Sequence, residues 1–214
     1  MIKLKYGLRL IREIIYPRHC AVCKKIIDEG YFCDKCRRQF IMKKRIADEE
    51  TGNIYLLFKY EQELQQAIHK LKFTCAKDYL PLLREEAEIA MPKHLRYFLQ
   101  RYDIVTNIPT SAERLAKRGF DIPAELFGFL EKWEADVLIR VRNTLPLFDL
   151  EPALRREELQ GCFAVNKSVC GKNILLCDDI YTTGSTVREA AVVLKAAGAK
   201  SIDVLAFSAS KDNW

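Results

Sequence analysis

The stretch from Ile174 to Thr186 constrains the fold of this chain more than any other. Its first four residues are apolar and predict a buried strand, and two adjacent carboxylates follow, then a turn of small hydroxyl residues, then a helix. Ligands of open α/β sheets bind beyond the carboxyl ends of the strands, and a helix start presents free N–H groups and a positive dipole end to an anion. We therefore predict a phosphate-binding loop made of Asp178, Asp179, Thr182, Thr183, Gly184, Ser185 and Thr186.

The paired carboxylates narrow the range of candidate ligands. They would repel a phosphate unless they bind another group, and they suit the 2′ and 3′ hydroxyls of a ribose, with Mg²⁺ as a helper. The pattern thus favours a ribose 5-phosphate. A P-loop is excluded in its usual form because no lysine follows Gly184. The simpler alternative is a helix capped by Thr183 or Ser185 with two exposed aspartates, and the directly preceding buried strand argues against it.

Short apolar runs alternate with helical patterns over most of the chain. This alternation predicts an α/β fold, with a mostly parallel sheet flanked by helices. The predicted strands lie at 54–60, 103–108, 137–141, 174–177 and 201–207, and the predicted helices at 62–73, 78–90, 112–132 with one interruption, and 185–197. Residues 143–160 are interpreted as a polar connection.

Four of the eight cysteines form two CxxC pairs nine residues apart: Cys20, Cys23, Cys33 and Cys36. Four thiolates with no open position describe a structural tetrahedral Zn²⁺ site. An iron–sulfur cluster and redox-active dithiols are the alternatives, and the redox alternative is weak because one motif would suffice for it. We call residues 17–40 the four-cysteine knuckle, and we predict a division into residues 1–46 (N-terminal helix and knuckle) and 47–214.

Positive charge is concentrated at the front of the chain. Residues 1–46 hold 13 basic and 4 acidic residues, while the remainder holds 22 basic and 25 acidic ones. A basic front suits a polyanion such as single-stranded DNA, although a solvated surface explains it as well. The nucleic-acid candidates around the cysteines are Arg18, Lys24, Lys25, Lys35, Arg37 and Arg38, with Tyr31 and Phe32 among them. These aromatic residues could equally pack against the larger domain.

Composition also bears on location. No apolar run approaches the roughly 18 residues of a membrane span, so the chain is not expected to be transmembrane. The basic N-terminus has apolar residues at helical spacing (Leu4, Leu8, Ile11 and Ile15), which predicts an amphipathic helix. The other four cysteines are scattered along the chain, which fits reduced thiols and a cytoplasmic protein. Whether the chain forms a homodimer is left open.

The loop resembles the fingerprint of type I phosphoribosyltransferases, and the whole chain resembles the ComF family of bacterial competence proteins. The features that match in family order are Tyr60, Leu71-Lys72, Ile108-Pro109, Arg118-Gly119-Phe120, Arg155, Gly161 and Phe163. Asp121 stands where the family often has asparagine. The resemblance implies a zinc knuckle joined to a domain that binds phosphoribosyl pyrophosphate. It also implies that the turn after Pro109 faces the pyrophosphate, with Arg114, Lys117 and Arg118 just beyond it.

Three functions follow from the resemblance. The first is a part in DNA uptake, with transfer of the phosphoribosyl group to a nitrogen acceptor that no residue identifies. The second is a binding module that uses phosphoribosyl pyrophosphate as a regulatory ligand and contacts single-stranded DNA or the uptake machinery. The third is a nucleotide-salvage phosphoribosyltransferase whose zinc site is only a structural clip. A glutamine-dependent amidotransferase is disfavoured because we expect no glutaminase domain here.

Overall fold

A computed structural model describes residues 17–91, 95–143 and 152–213. The strands, numbered along the described residues, are β1 (Ile41–Asp48), β2 (Gly52–Lys59), β3 (Ile104–Asn107), β4 (Leu138–Arg140), β5 (Phe163–Val165), β6 (Asn173–Tyr181) and β7 (Ser201–Ala209). The helices are α1 (Asp34–Phe40), α2 (Gln62–His69), α3 (Tyr79–Ala90), α4 (Leu95–Gln100), α5 (Ala112–Arg118), α6 (Ile122–Phe127), α7 (Pro152–Leu159) and α8 (Ser185–Ala196). A π-helical turn (Lys70–Thr74) extends α2, and a short 3₁₀ turn (Lys211–Asn213) follows β7.

A five-stranded sheet in the order β1-β2-β7-β6-β3 organises the chain. Strands β2, β7, β6 and β3 run parallel, and β1 pairs antiparallel with β2 at one edge. The predicted mostly parallel sheet is therefore confirmed. Because the four parallel strands point the same way, their carboxyl ends meet at one edge of the sheet, where α/β proteins bind ligands.

Both faces of the sheet are covered, as expected of a parallel sheet. Side chains alternate along β6, so that Leu175 and Cys177 join the core under α2, α3 and α6, while Ile174 and Leu176 join the core under α8. The same alternation holds along β7. The central strands read as continuous apolar runs for this reason, and they give the carboxyl edge a rigid support.

The knuckle packs against the body of the chain. Phe32 is fully buried and stacks on Phe40 with ring centroids 4.4 Å apart. Its strongest polar link is the carboxylate of Glu86 on α3, which accepts hydrogen bonds from the backbone N–H groups of Tyr31 and Phe32 and from the guanidinium of Arg37. The knuckle thus shares one core with helices α2 and α3.

The structure departs from the predicted elements at several positions: α4 was not predicted, and α7 forms inside the stretch 143–160 that was interpreted as a polar connection. Strand β6 continues to Tyr181, four residues beyond the predicted end, and β4 pairs with β5 in a small separate sheet. Residues 34–48 form α1 and β1, which were not predicted, because three consecutive basic residues mask the alternation of the strand. The division at residue 46 stays a prediction, and β1 crosses that position. The predicted N-terminal helix lies outside the described residues.

None of the helices in the three described ranges combines the length and the hydropathy that a membrane-spanning segment needs.

Candidate functional site

The carboxyl edge of the sheet brings the predicted phosphate loop beside the turn that follows β3. Asn107 and Cys177 are in register, and the Ile108 N–H donates to the Cys177 carbonyl over 2.9 Å. The turn at 108–111 therefore lies next to the two aspartates that follow Cys177. The sequence resemblance placed the pyrophosphate at this turn, and the fold provides the adjacency that such a ligand needs.

Asp178 and Asp179 lie within β6, where they are only 9% and 8% exposed. They are not exposed loop residues, so the alternative of a simple capped helix with two solvated aspartates does not hold. Burial, and next the charge of Asp179, raises the pKa of Asp178 to about 8. Asp178 is therefore mostly protonated near neutral pH, which lowers the negative charge of the buried pair, and the charge that remains needs a nearby cation.

Lys72 supplies that compensation. Its Nζ lies 2.9 Å from Oδ2 of Asp179 and forms an ion pair across 107 residues of sequence. Lys72 sits in the π-helical turn, which the chain leaves at Cys75 with a φ of +55°. A π-helical turn is rare and occurs often at functional sites. Sequence reasoning recorded Lys72 as part of a family pattern without giving it a role, because nothing local reveals its distant partner.

Arg118 is a second cation at this edge. It is 9% exposed, and its Nε has no hydrogen-bond partner among the described residues. Burial lowers the pKa of Arg118, and the charges of Asp179 and Asp121 oppose that shift. A buried guanidinium with an unpartnered N–H is suited to an anion, and contact of Arg118 with a pyrophosphate stays a prediction.

Asp121 holds the turn after β3 in place. Its carboxylate accepts from the Thr110 N–H over 2.8 Å and from Nδ2 of Asn107 over 3.2 Å, and it also caps α6 through the Ala124 N–H. Burial raises the pKa of Asp121. The residue that departs from the family pattern therefore has a positioning role at the site.

Arg114 and Lys117 lie on the same short helix as Arg118 and are less enclosed. Arg114 is half-buried and Lys117 is exposed. Neither forms an ion pair with another residue in the part of the chain that the structure describes. Their contact with a pyrophosphate stays a prediction.

The phosphate loop itself turns at Gly184. This residue has a φ of +75°, and a Cβ there would lie 2.5 Å from the hydroxyl oxygen of Tyr181. Helix α8 starts directly after it. The hydroxyl groups of Thr183 and Ser185 lie 2.9 Å apart, while Thr182 and Thr183 are exposed. Hydroxyl groups of the loop are therefore accessible to a ligand.

Arg188 holds the backbone of the loop in place, although the sequence did not identify it as a site residue. Its Nη1 donates to the Thr183 carbonyl over 2.9 Å, and its Nη2 pairs with Oδ2 of Asp48 over 2.9 Å. Asp48 ends strand β1. The antiparallel edge of the sheet therefore supports the loop through one guanidinium.

The four knuckle cysteines come together as predicted. All four Sγ atoms lie within 4.8 Å of one another, and those of Cys23 and Cys33 are 3.7 Å apart. Cys20 and Cys36 are buried, while Cys23 faces solvent. A tetrahedral ion with bonds of about 2.3 Å holds its sulfurs about 3.8 Å apart. The cluster therefore fits a single metal ion, and a cluster of several irons would hold the four sulfurs further apart.

Two of the six predicted nucleic-acid residues form ion pairs with other residues of the chain. Arg37 is 7% exposed, because its guanidinium pairs with Glu86 and Asp34 and also donates to the Phe32 carbonyl. Its placing on a nucleic-acid surface is therefore wrong. Arg18 is half-buried and pairs with Glu85. The remaining four, Lys24, Lys25, Lys35 and Arg38, are exposed. Phe32 is likewise part of the core and not a stacking surface.

Sheet order, phosphate loop and cysteine cluster together define a type I phosphoribosyltransferase-like domain that carries an N-terminal four-cysteine knuckle. The "Phosphoribosyl transferase domain" family matches residues 135–212. Competence protein ComFC of Streptococcus pneumoniae is 31% identical over 201 residues, which cover 92% of this chain and 82% of that protein. On this similarity the chain belongs to the ComF family.

Two further relatives agree with this assignment. Competence protein ComFC of Bacillus subtilis is 25% identical over 214 residues and covers 96% of this chain and 83% of that protein. DNA utilization protein YhgH of Salmonella typhimurium is 30% identical over 152 residues. That match covers 68% of this chain and 66% of YhgH, so it spans just under two thirds of the relative.

Proposed function

We propose that this chain binds phosphoribosyl pyrophosphate with Mg²⁺ at the carboxyl edge of the sheet. The buried pair of Asp178 and Asp179 beside the loop at Gly184 carries the proposal. The two carboxylates accept from the ribose hydroxyls, and the loop takes the 5-phosphate. Lys72 pairs with Asp179, and Arg118 ends the helix that follows the turn after β3, so two cations are available to oppose the charge of a pyrophosphate.

Calorimetry with phosphoribosyl pyrophosphate and Mg²⁺ tests this assignment. Asp178→Ala combined with Asp179→Ala should abolish the binding. Asp28→Ala combined with Glu29→Ala is a matched control, because it removes two adjacent carboxylates that are exposed in the knuckle. Unchanged affinity in the first double variant would remove the ribose assignment, and equal losses in both would point to a change in net charge.

Transfer of the phosphoribosyl group is the reaction that this ligand allows. A nitrogen nucleophile would form a bond to the anomeric carbon while the bond from that carbon to the pyrophosphate oxygen breaks. The chain would contribute positioning and stabilisation of the departing pyrophosphate, through Lys72 and Arg118. A screen for pyrophosphate release across nitrogen acceptors tests it. Binding without release for every acceptor would favour a regulatory ligand.

The metal that we propose for the knuckle is Zn²⁺, held by Cys20, Cys23, Cys33 and Cys36. When bound, it would cross-link the two CxxC pairs and supply folding free energy to a segment with little core of its own. Metal analysis of purified protein should give about one zinc per chain. Iron with a visible chromophore would contradict the proposal.

The names of the relatives, competence protein and DNA utilization protein, support a part in DNA uptake. We propose single-stranded DNA as the contact. We place this role in the cytoplasm, where reduced thiols persist. Binding of single-stranded DNA should weaken steeply with salt. The alternative, a nucleotide-salvage enzyme with a structural zinc clip, is favoured by one observation. Arg37 and Phe32 are buried against the rest of the chain, so this part of the knuckle is not exposed to nucleic acid. Absence of DNA binding at low salt would select this alternative.

A further inference from the structure

Several exposed cations that the site does not use lie on α1 and β1. After Arg18 and Arg37 are assigned to internal ion pairs, Lys35 and Arg38 remain exposed on α1, and Lys43 and Arg45 on β1. None of these four has an ion pair or side-chain hydrogen bond with any residue in 17–91, 95–143 or 152–213. Four uncompensated cations on consecutive elements form a basic surface.

Strand β1 presents this charge at an open edge. It is the last strand on its side of the sheet, and its burial alternates, with Lys43 and Arg45 exposed and Lys44 between them half-buried. The Nζ of Lys44 donates to the Asn213 carbonyl over 2.8 Å. The pairing with β2 shifts register between Ile41 and Lys44, which is where the basic run begins. The surface ends at the β1–β2 turn, where Asp48 is taken up by Arg188.

Aromatic side chains continue the surface across the next strand. Arg45 is in register with Tyr55 of β2, so the two side chains lie on the same face. The Tyr55 hydroxyl accepts from Nη1 of Arg101 over 3.4 Å, and its ring lies edge-on to Phe98 of α4. The neighbouring Tyr97 is 71% exposed. Arg45, Arg101 and the rings of Tyr55 and Phe98 therefore lie together beside the open edge of the sheet.

We propose that this edge surface, made of Lys35, Arg38, Lys43, Arg45, Arg101, Tyr55 and Tyr97, is the contact for single-stranded nucleic acid. The cations meet phosphates and the tyrosines stack on unpaired bases, which is how sequence-tolerant single-strand binders work. A duplex keeps its bases stacked and leaves the tyrosines without partners. The inference rests on the proposed DNA contact and moves it from the cysteines to the sheet edge.

Edge lysines also have a purely protective use, since they discourage strand pairing between molecules. The two uses differ in what a charge-removing variant changes. A protective role predicts self-association without any change in nucleic-acid affinity. A contact role predicts lower affinity together with a weaker dependence on salt.

The test is fluorescence anisotropy of the full chain with a labelled oligothymidylate over a range of salt concentrations. Lys43→Gln combined with Arg45→Gln should lower the slope of log affinity against log salt by about 1.4, from about 0.7 per lost contact. Lys195→Gln combined with Lys200→Gln is the matched control, because it removes two exposed lysines and the same charge. Tyr97→Ala should weaken binding about fivefold or more without changing that slope.

Each outcome decides a separate point. Equal effects of the two double variants, or no effect of either, would overturn the edge surface while the DNA contact stands. Tighter binding of a duplex of equal length would overturn the choice of single strands. No binding by the unmodified chain at low salt would end the proposed DNA contact itself, and calorimetry with phosphoribosyl pyrophosphate would still report on the other site.

Discussion

Glu86 offers the sharpest test of how the knuckle is held to the body. Its side chain is fully buried on α3 and accepts four hydrogen bonds: from the N–H groups of Tyr31 and Phe32 over 2.7 and 2.9 Å, and from Nε and Nη2 of Arg37 over 2.7 and 3.2 Å. Glu86→Gln keeps the shape of the side chain but removes the charge and turns one acceptor into a donor. Arg37 then remains buried beside a neutral amide and the exposed Asp34.

The expected loss of unfolding free energy in Glu86→Gln follows from this environment. Removing one partner of a buried ion pair costs about 3–5 kcal/mol, because the other charge stays desolvated. One amide oxygen can still accept, so we expect the lower end, about 3 kcal/mol. Glu88→Gln on the same helix is the control. Glu88 is exposed and forms only an i, i+4 pair with Arg84, which contributes about 0.3–0.5 kcal/mol.

Urea titration followed by circular dichroism, with metal release to a chromogenic chelator as second readout, compares the variants. Glu86→Gln should release the metal at lower urea than Glu88→Gln. Adding Arg37→Met to Glu86→Gln should recover part of the loss, since it removes the stranded charge. If the two single variants agree to within about 1 kcal/mol, the ion pair does not hold the knuckle.

Three further predictions concern the carboxyl edge. Lys72→Met should weaken binding of phosphoribosyl pyrophosphate in calorimetry about tenfold or more, because a charge-assisted contact contributes about 1.5–3 kcal/mol. Lys70→Met, in the same π-helical turn but exposed, should not, and equal losses would contradict the role of Lys72. Gly184→Ala should weaken that binding and also destabilise the fold by about 1–2 kcal/mol in urea. Gly171→Ala shares the positive φ but has open space, so it should lose stability and keep its affinity. Because the pKa of Asp178 is raised to about 8, the native state keeps a proton that the unfolded chain releases above about pH 4. The unfolding free energy should therefore fall as the pH rises from about 4 to about 8, by at most about 1.4 kcal/mol per pH unit. Asp178→Asn should remove this contribution to the pH dependence. Parallel pH profiles of the two proteins would refute the raised pKa.

The parts of the fold that the sequence predicted are those that a local pattern encodes. The alternation of apolar runs and helices was sufficient for the parallel sheet, and the spacing of the cysteines was sufficient for their cluster. The predicted end of β6 was wrong because two adjacent carboxylates look like the end of a strand. Here they lie within the strand, and Lys72 pairs with one of them. Strand β1 was missed because its core-facing residues are separated by lysine and arginine.

Roles that depend on a distant partner were beyond the sequence. Lys72 meets Asp179 across 107 residues, and Arg37 meets Glu86 across 49. A basic residue on a solvated surface and one in a buried pair look the same until the partner is known. The sequence therefore favours Arg37 as a nucleic-acid residue, while the cations on β1 enter only the count of the basic front and are not singled out as candidates.

The π-helical turn at Lys70–Thr74 also has a consequence for how this chain tolerates insertions and deletions. A π-helical turn contains one residue more than the α-helical path needs. Deleting one residue there would let α2 run on as a regular helix, at little cost to its own hydrogen bonds. A wide turn and a regular turn with one residue fewer sweep about the same angle, so the segments before and after the deletion would keep their phase. Only the residues inside the turn would shift, and Lys72 would lose the position from which it pairs with Asp179. The number of residues in this turn therefore matters for the site as much as the presence of a lysine at position 72.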